Sequence, residues 1–363
     1  MDKKIRVIGA ALVAAVWIAL VGFAWFGPAK EMSEAERRPL AQMPDVKLET
    51  LLNGKFMGAF EDYTLDQFPL RDTFRSVKAL FHKYVLGQRD NNDIYVADGH
   101  VAELAAKLDE ASVNHALEQF QILYELYLTD SKVYSTVVPD KGYYLAEPNG
   151  YPAMDYEKLF SMVRSGMPWA EFVDITGCLS LEDYYYTDTH WKQENILPVA
   201  QALANAMGVD GPKPEDFTAE TIERPFYGVY YGQAALPMDP DELRLMRSDV
   251  LDGCTVYNFV NDAYTPVYDR ERLEGKDMYE AYLSGAQSLL RIENPNAATD
   301  RELVVIRDSF GSSLVPLLAQ DYKTVTLVDI RYINAQLVGR YVDFAGKDVL
   351  FMYSSLVLNK NLI

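Results

Sequence analysis

The chain has 363 residues but only two cysteines and four histidines. Cys178 and Cys254 form neither a zinc-binding spacing nor a disulfide framework, and both a single bridge outside the cytoplasm and two buried thiols stay open. Three of the histidines, His82, His100 and His115, have no partner pattern and read as structural or solvated. Net positive charge is missing too. At a formal charge of −19 the chain lacks the basic footprint that phosphate binding needs, which argues against nucleic acid. The same charge disfavours adhesion of the main domain to anionic lipid heads. Internal repeats and low-complexity tracts are absent, and 49% apolar content excludes global disorder. No motif calls for a metal or a cofactor.

Long hydrophobic runs are limited to one. Lys3, Lys4 and Arg6 precede an uncharged stretch over 7–26, closed by Gly27-Pro28. Its 20 residues, rising ~1.5 Å each, match the ~30 Å hydrocarbon core of a bilayer. Trp17 lies mid-run, while Trp25 and Phe26 fall where an interfacial aromatic belt belongs. The basic residues put the N-terminal side in the cytoplasm and everything after Pro28 outside. A cleaved signal peptide competes, with Gly22-Phe23-Ala24 as a small-residue cleavage site, but the run is long for one. The expected organisation is an anchor over 1–30, a helical lead-in over 31–130 and a main domain over 131–363.

Within the lead-in, Glu34, Glu36, Arg37 and Arg38 read as a solvated charged stretch. Phe74, Val77, Leu80, Phe81 and Tyr84 recur at helical spacing and predict a stripe that packs against a neighbour. Residues 93–96 read as a short strand ending in an Asp98-Gly99 turn. Leu117, Phe120, Leu123, Leu126 and Tyr127 mark a helix into the main domain.

From Lys132 onward, strand and helix patterns alternate. Strands are predicted over 133–138, 172–175, 303–306, 325–328 and 349–353, which points to a three-layer α/β fold on a mostly parallel sheet of about five strands. Ile196, Ala200, Leu203 and Met207 mark a helix face, with Asn195 as its cap and Pro198 in its first turn. The segment from about 208 to 300 breaks the rhythm and reads as an insertion that shapes a cleft.

Two stretches carry chemistry. In the first, Asp188 and His190 are two residues apart, so an extended backbone points both side chains to one face. In the second, the buried run 303–306 leads through Arg307-Asp308 to Ser309, followed by a helical pattern that Ser312-Ser313 can cap. That places Ser309 in a strand-to-helix turn beside free backbone N–H groups, although Gly-x-Ser-x-Gly is absent. A serine needs a base within hydrogen-bond reach, and that base works best with a carboxylate to orient it. The plainer alternative is a strand end with a solvated aspartate and a satisfied histidine. By the rule that ligands bind beyond the carboxyl ends of strands, Lys141, Arg307, Asp329 and Arg331 become candidates to orient substrate. For each, a turn residue or a solvated ion pair is the ordinary reading. Tyr143, Tyr144 and Tyr184-Tyr185-Tyr186 could stack on sugar rings, although 25 tyrosines make such clusters common here.

Asp188-Thr189-His190-Trp191 resembles the signature of the bacterial DHHW family, with Thr189 at its first histidine. Arg307-Asp308-Ser309-Phe310 resembles the serine block of the SGNH (GDSL-like) hydrolase superfamily, with Arg307 at its glycine. The pattern is similar to that of the alginate O-acetyltransferase proteins. What the resemblance implies is an SGNH-like fold with Ser309 as nucleophile, His190 as base and Asp188 as its orienter. It further implies transfer or hydrolysis of an acetyl group at a cell-surface glycan or exported polysaccharide, with a membrane protein that donates the acyl group as a conceivable partner. Arg307 in place of glycine, and the lack of a Gly-x-Asn block for an oxyanion donor, are what the alternative, an inactive glycan-binding or assembly protein, rests on.

Overall fold

A run of β-branched and aliphatic residues becomes a central strand when both its faces are covered. Leu303 to Ile306 show no exposure at all. Leu303 and Val305 enter one hydrophobic cluster and Val304 and Ile306 the other, the alternation of a strand sandwiched between two layers. These assignments come from a computed structural model that describes residues 3–33 and 35–363, apart from the side chains of Lys3, Trp25 and Phe26. The side chains of the aromatic pair expected at a membrane boundary, and the charged Glu34, thus lie outside what is described.

The chain forms two compact units, Met1–Asn92 with Tyr231–Met238, and Asp93–Tyr230 with Asp239–Ile363. In the first, helix α1 (Lys3–Phe26) contains Lys4–Ala24, long and apolar enough to cross a membrane, with none of it buried. Helices α2 (Lys55–Asp66) and α3 (Arg71–Tyr84) follow. Ion pairs hold this unit: Arg38 to Asp66 at 2.6 Å, and Arg71 and Arg75 to Glu36. The hydrogen bond from Arg38 holds the Asp66 carboxyl down at about 2. The stripe expected to pack is a correction, because Phe74, Val77, Phe81 and Tyr84 of α3 face outward and Ala79 faces in.

In the second unit, strands Ile94–Ala97 and His100–Glu103 form a hairpin. The main sheet consists of β1 (Lys132–Val138), β2 (Glu171–Phe172), β3 (Thr255–Asn258), β4 (Ala263–Thr265), β5 (Leu289–Glu293), β6 (Glu302–Arg307), β7 (Thr324–Val328) and β8 (Asp348–Ser354). Their spatial order is β4-β3-β5-β7-β6-β8-β1-β2. Five neighbours, β7-β6-β8-β1-β2, run parallel. The expectation of about five strands stops there, because the sheet has eight and is mixed. The additional β3, β4 and β5 come from the insertion and pair antiparallel. Interruption of the strand–helix rhythm hid them, since antiparallel strands need no crossover helix. Two smaller corrections concern β2, which is shorter than 172–175, and the Leu197–Met207 helix, whose N-cap is Ile196 rather than Asn195.

Candidate active site

Ser309 sits where the local sequence forces a sharp turn. The backbone leaves β6 at Arg307, and helix α4 (Gly311–Leu318) begins four residues later. Asp308 makes the turn by accepting from Phe310 N at 3.0 Å and Ser354 N at 2.7 Å, which ties it to the end of β8. Arg307 lies wholly buried beneath, donating to the Asp308 carbonyl and the Ser312 hydroxyl at 3.2 Å each. Its stem occupies the space a side chain at Gly311 would need, with contacts of 3.0 to 3.2 Å to a Cβ there. Ser309 itself is half-buried, and its N–H has no acceptor among the described residues.

The Asp188–His190 segment is not the extended backbone that the two-residue spacing suggests. It is a series of bends, closed at its base by a bridge between Tyr184 and Trp191. Asp188 still reaches His190, because its Oδ1 accepts both the His190 N–H at 3.1 Å and the ring Nδ1–H at 2.6 Å. With that nitrogen carrying the proton, Nε2 is left to accept, and it lies 2.8 Å from Ser309 Oγ. Asp188, His190 and Ser309 therefore form one hydrogen-bonded line. The imidazole is stacked on Tyr279, centroids 3.8 Å apart and 5° from parallel, and leans on Phe310 at 4.9 Å. Tyr279 is fixed in turn by its hydroxyl, 2.8 Å from Ser313 Oγ, to which Trp191 Nε1 also donates at 2.9 Å.

Several residues that the sequence did not single out hold the loop. Asp241 accepts from Tyr186 N at 2.6 Å, Thr187 N at 2.8 Å and Thr187 Oγ1 at 2.5 Å. On the far side, Gly228 N donates to Thr187 Oγ1 at 2.8 Å and Val229 N donates to Asp188 Oδ2 at 2.9 Å. Gly228 is needed there because a Cβ would stand 2.2 Å from Asp188 Cα. Asp241, Gly228, Val229 and Tyr279 all belong to the insertion, and no spacing in the sequence links them to Asp188.

The four residues expected to orient substrate are placed otherwise. Arg307 is under the turn. Lys141 is buried, and its ammonium donates to the carbonyls of Tyr185 at 3.0 Å and Tyr186 at 3.3 Å. Burial pushes the Lys141 pKa down to about 7, against the pull of Asp188, Asp241 and Asp140. Asp329 and Arg331 form a two-pronged ion pair at 2.9 and 2.6 Å, with the Asp329 side chain fully buried. Tyr184 and Tyr185 are buried as well, which removes them as sugar-stacking platforms. Both cysteines are free thiols. Among the described residues no group of His, Cys, Asp or Glu side chains forms a metal site.

Comparison with known proteins bears on the family resemblance and the fold. Residues 180–328, which run from the histidine loop to β7, match the family model described as DHHW protein. Over that stretch the chain is similar to DHHW proteins. A DHHW family protein from Eubacterium siraeum superposes with a TM-score of 0.58 at 22% identity, covering 74% of this chain and 92% of that one. Bacillus cereus PatB1, solved with a sulfonyl adduct, gives 0.58 at 19% identity over 75% and 98%. At these identities the likeness establishes the fold. The O-acetyltransferase domain of Pseudomonas putida AlgJ matches at 0.43 and 14% identity, covering 74% of this chain and 92% of that one, and adds no argument. No curated protein sequence matches the chain.

Proposed function

We propose that this protein belongs to the DHHW family and is a membrane-anchored serine acyltransferase or esterase acting outside the cytoplasm. The observation that carries the reading is the unbroken line from Asp188 through His190 to Ser309, at 2.6 and 2.8 Å. Ser309 Oγ attacks the carbonyl of a donor ester while His190 Nε2 takes its proton. Asp188 holds the imidazole in the correct tautomer and stabilises the cation that forms. The unengaged Ser309 N–H is the backbone donor assigned to the developing oxyanion. Collapse of the tetrahedral intermediate expels the donor alcohol, which receives the proton from His190. A hydroxyl of the acceptor, or water, then attacks the acyl-serine and regenerates the enzyme.

The acetyl group and a cell-surface or exported polysaccharide as acceptor are taken from the resemblance of the Asp188–Trp191 and Arg307–Phe310 motifs to the alginate O-acetyltransferase proteins. The sulfonyl adduct of PatB1 supports the chemical class, since sulfonylating reagents capture activated nucleophiles. Retention of Lys4–Ala24 as a span, with the basic N-terminal side in the cytoplasm, supplies the location. Arg307 is compatible with activity, because it supports the turn from below rather than occupying the space above Ser309.

The test is turnover of p-nitrophenyl acetate by the full chain in detergent, wild type beside Ser309→Ala. Ser309→Ala removes the attacking oxygen and with it the covalent path, so the variant should lose nearly all turnover at an unchanged melting temperature. Equal rates in the two proteins would leave only the binding or assembly reading.

A further inference from the structure

The outward face of helix α3 is the strongest feature that the proposed chemistry does not use. Leu70, Phe74, Val77, Phe81, Tyr84 and Val85 recur at helical spacing, and each is 49% to 73% exposed. The helix is held by its other side, through buried Ala79 and through Arg71 and Arg75 on Glu36. Apart from the edge contact of Phe74 with Phe68, ring centroids 5.4 Å apart, the apolar stripe is left uncovered within its own unit. A contiguous exposed stripe of this size marks a surface that something covers.

Its position in the chain indicates what covers it. Gln67 follows the last residue of α2, and its side chain grips Lys30, accepting from Lys30 N at 2.8 Å and donating to Lys30 O at 2.9 Å. Lys30 lies six residues beyond Ala24, the end of the membrane-length stretch. Six extended residues reach at most ~21 Å, so the corner where α3 begins is tethered close to the point where the chain leaves the hydrocarbon. Interfacial helices sit at that depth, with the apolar face ~5–10 Å into the headgroup boundary. Charge points the same way. Residues 70–89 carry five Lys and Arg against one Asp, in a chain whose net charge is −19. Lys78 lies at the edge of the stripe, where it can meet anionic headgroups.

We propose that α3 lies in the interface of the membrane that Lys4–Ala24 crosses, with its apolar stripe toward the acyl chains and Lys78 toward anionic headgroups. This rests on the reading of Lys4–Ala24 as a retained span. A second attachment beside the span restrains rotation of the N-terminal unit about it.

The test places the photocrosslinker p-benzoylphenylalanine at Phe81, and separately at Asp72 on the opposite side of α3. The full chain is reconstituted in phosphatidylcholine vesicles with and without phosphatidylglycerol. Irradiation should give phospholipid adducts several-fold more abundantly from position 81 than from position 72. Phosphatidylglycerol should raise the yield at 81, and Lys78→Glu should abolish that increase. Resistance to alkaline carbonate extraction reports on the span separately. Retention in the membrane without a lipid adduct at 81 overturns the interfacial helix alone. Extraction without an adduct overturns helix and span together. Crosslinking of position 81 to a second copy of the chain overturns the proposal in favour of a dimer surface.

Discussion

Replacing Gly228 with alanine tests whether the far side of Asp188 matters as much as the side that faces His190. The new Cβ would fall 2.2 Å from Asp188 Cα, 2.3 Å from its Cβ and 2.4 Å from its N. None of these atoms can swing aside as a flexible side chain could, so the two segments must part by on the order of 1 Å. That breaks the bonds from Gly228 N to Thr187 Oγ1 and from Val229 N to Asp188 Oδ2. Loss of a hydrogen bond to a buried carboxylate costs about 1.5–3 kcal/mol. A displacement of ~1 Å transmitted to the imidazole costs ~10²-fold in turnover. Gly228→Ala should therefore lower kcat/KM for p-nitrophenyl acetate by roughly 10²-fold and melt several degrees early. Thr187→Val, which removes the two bonds of the Thr187 hydroxyl, from Gly228 N and to Asp241 Oδ2, but leaves the main chain in place, should be milder on turnover. A Gly228→Ala protein with wild-type kcat/KM and melting temperature would refute the idea that this contact positions Asp188.

The pKa of Lys141 in the folded chain, about 7, lies below its ordinary 10.5. Between those values the unfolded chain binds a proton that the folded chain lacks, so stability should rise with pH across that window, by at most ~1.4 kcal/mol per pH unit. Lys141→Met should flatten that rise in denaturant titrations between pH 7 and pH 10, and parallel curves for the two proteins would rule the effect out. Among the described residues Arg307 Nε and Nη2 have no hydrogen-bond partner, so relief of that buried charge should partly offset the loss of its bonds to Asp308 O and Ser312 Oγ, and Arg307→Met should change stability by no more than about 1–2 kcal/mol. A large loss of turnover in Arg307→Met at an unchanged melting temperature would instead return Arg307 to the site. Burial pushes the Cys254 thiol up to about 11 and leaves Cys178 more accessible, so under native conditions at pH 8 Cys178 should alkylate first by peptide mapping. The reverse order would contradict the packing around Cys254.

Much of the parallel half of the fold was legible because a strand covered on both faces cannot hide. Runs such as 303–306 and 349–353 are apolar throughout and bounded by turn residues. The three antiparallel strands were not legible, since Thr255–Asn258 and the edge strand Ala263–Thr265 mix polar and apolar residues. In the site, the two-residue spacing of Asp188 and His190 and the turn at Ser309 carried the signal. The residues that hold the loop left none, because Asp241 and Gly228 act across some 40 to 55 residues of chain. Burial reversed two readings for the same reason. Lys141 and Arg307 are charged residues near strand ends, yet each turns inward to satisfy main-chain carbonyls. The α3 stripe shows the opposite failure: helical periodicity reports that a helix has an apolar face but not what lies against it.

The central claim is tested most directly by trapping the nucleophile. The full chain is treated with an activated acetyl ester, and in parallel with an aromatic sulfonyl fluoride, then analysed by intact mass and peptide mapping. The expected result is one covalent adduct on Ser309 in the wild type, no adduct in Ser309→Ala, and strongly slowed labelling in His190→Ala. Absence of any adduct, or an adduct on another residue that survives Ser309→Ala, would contradict it.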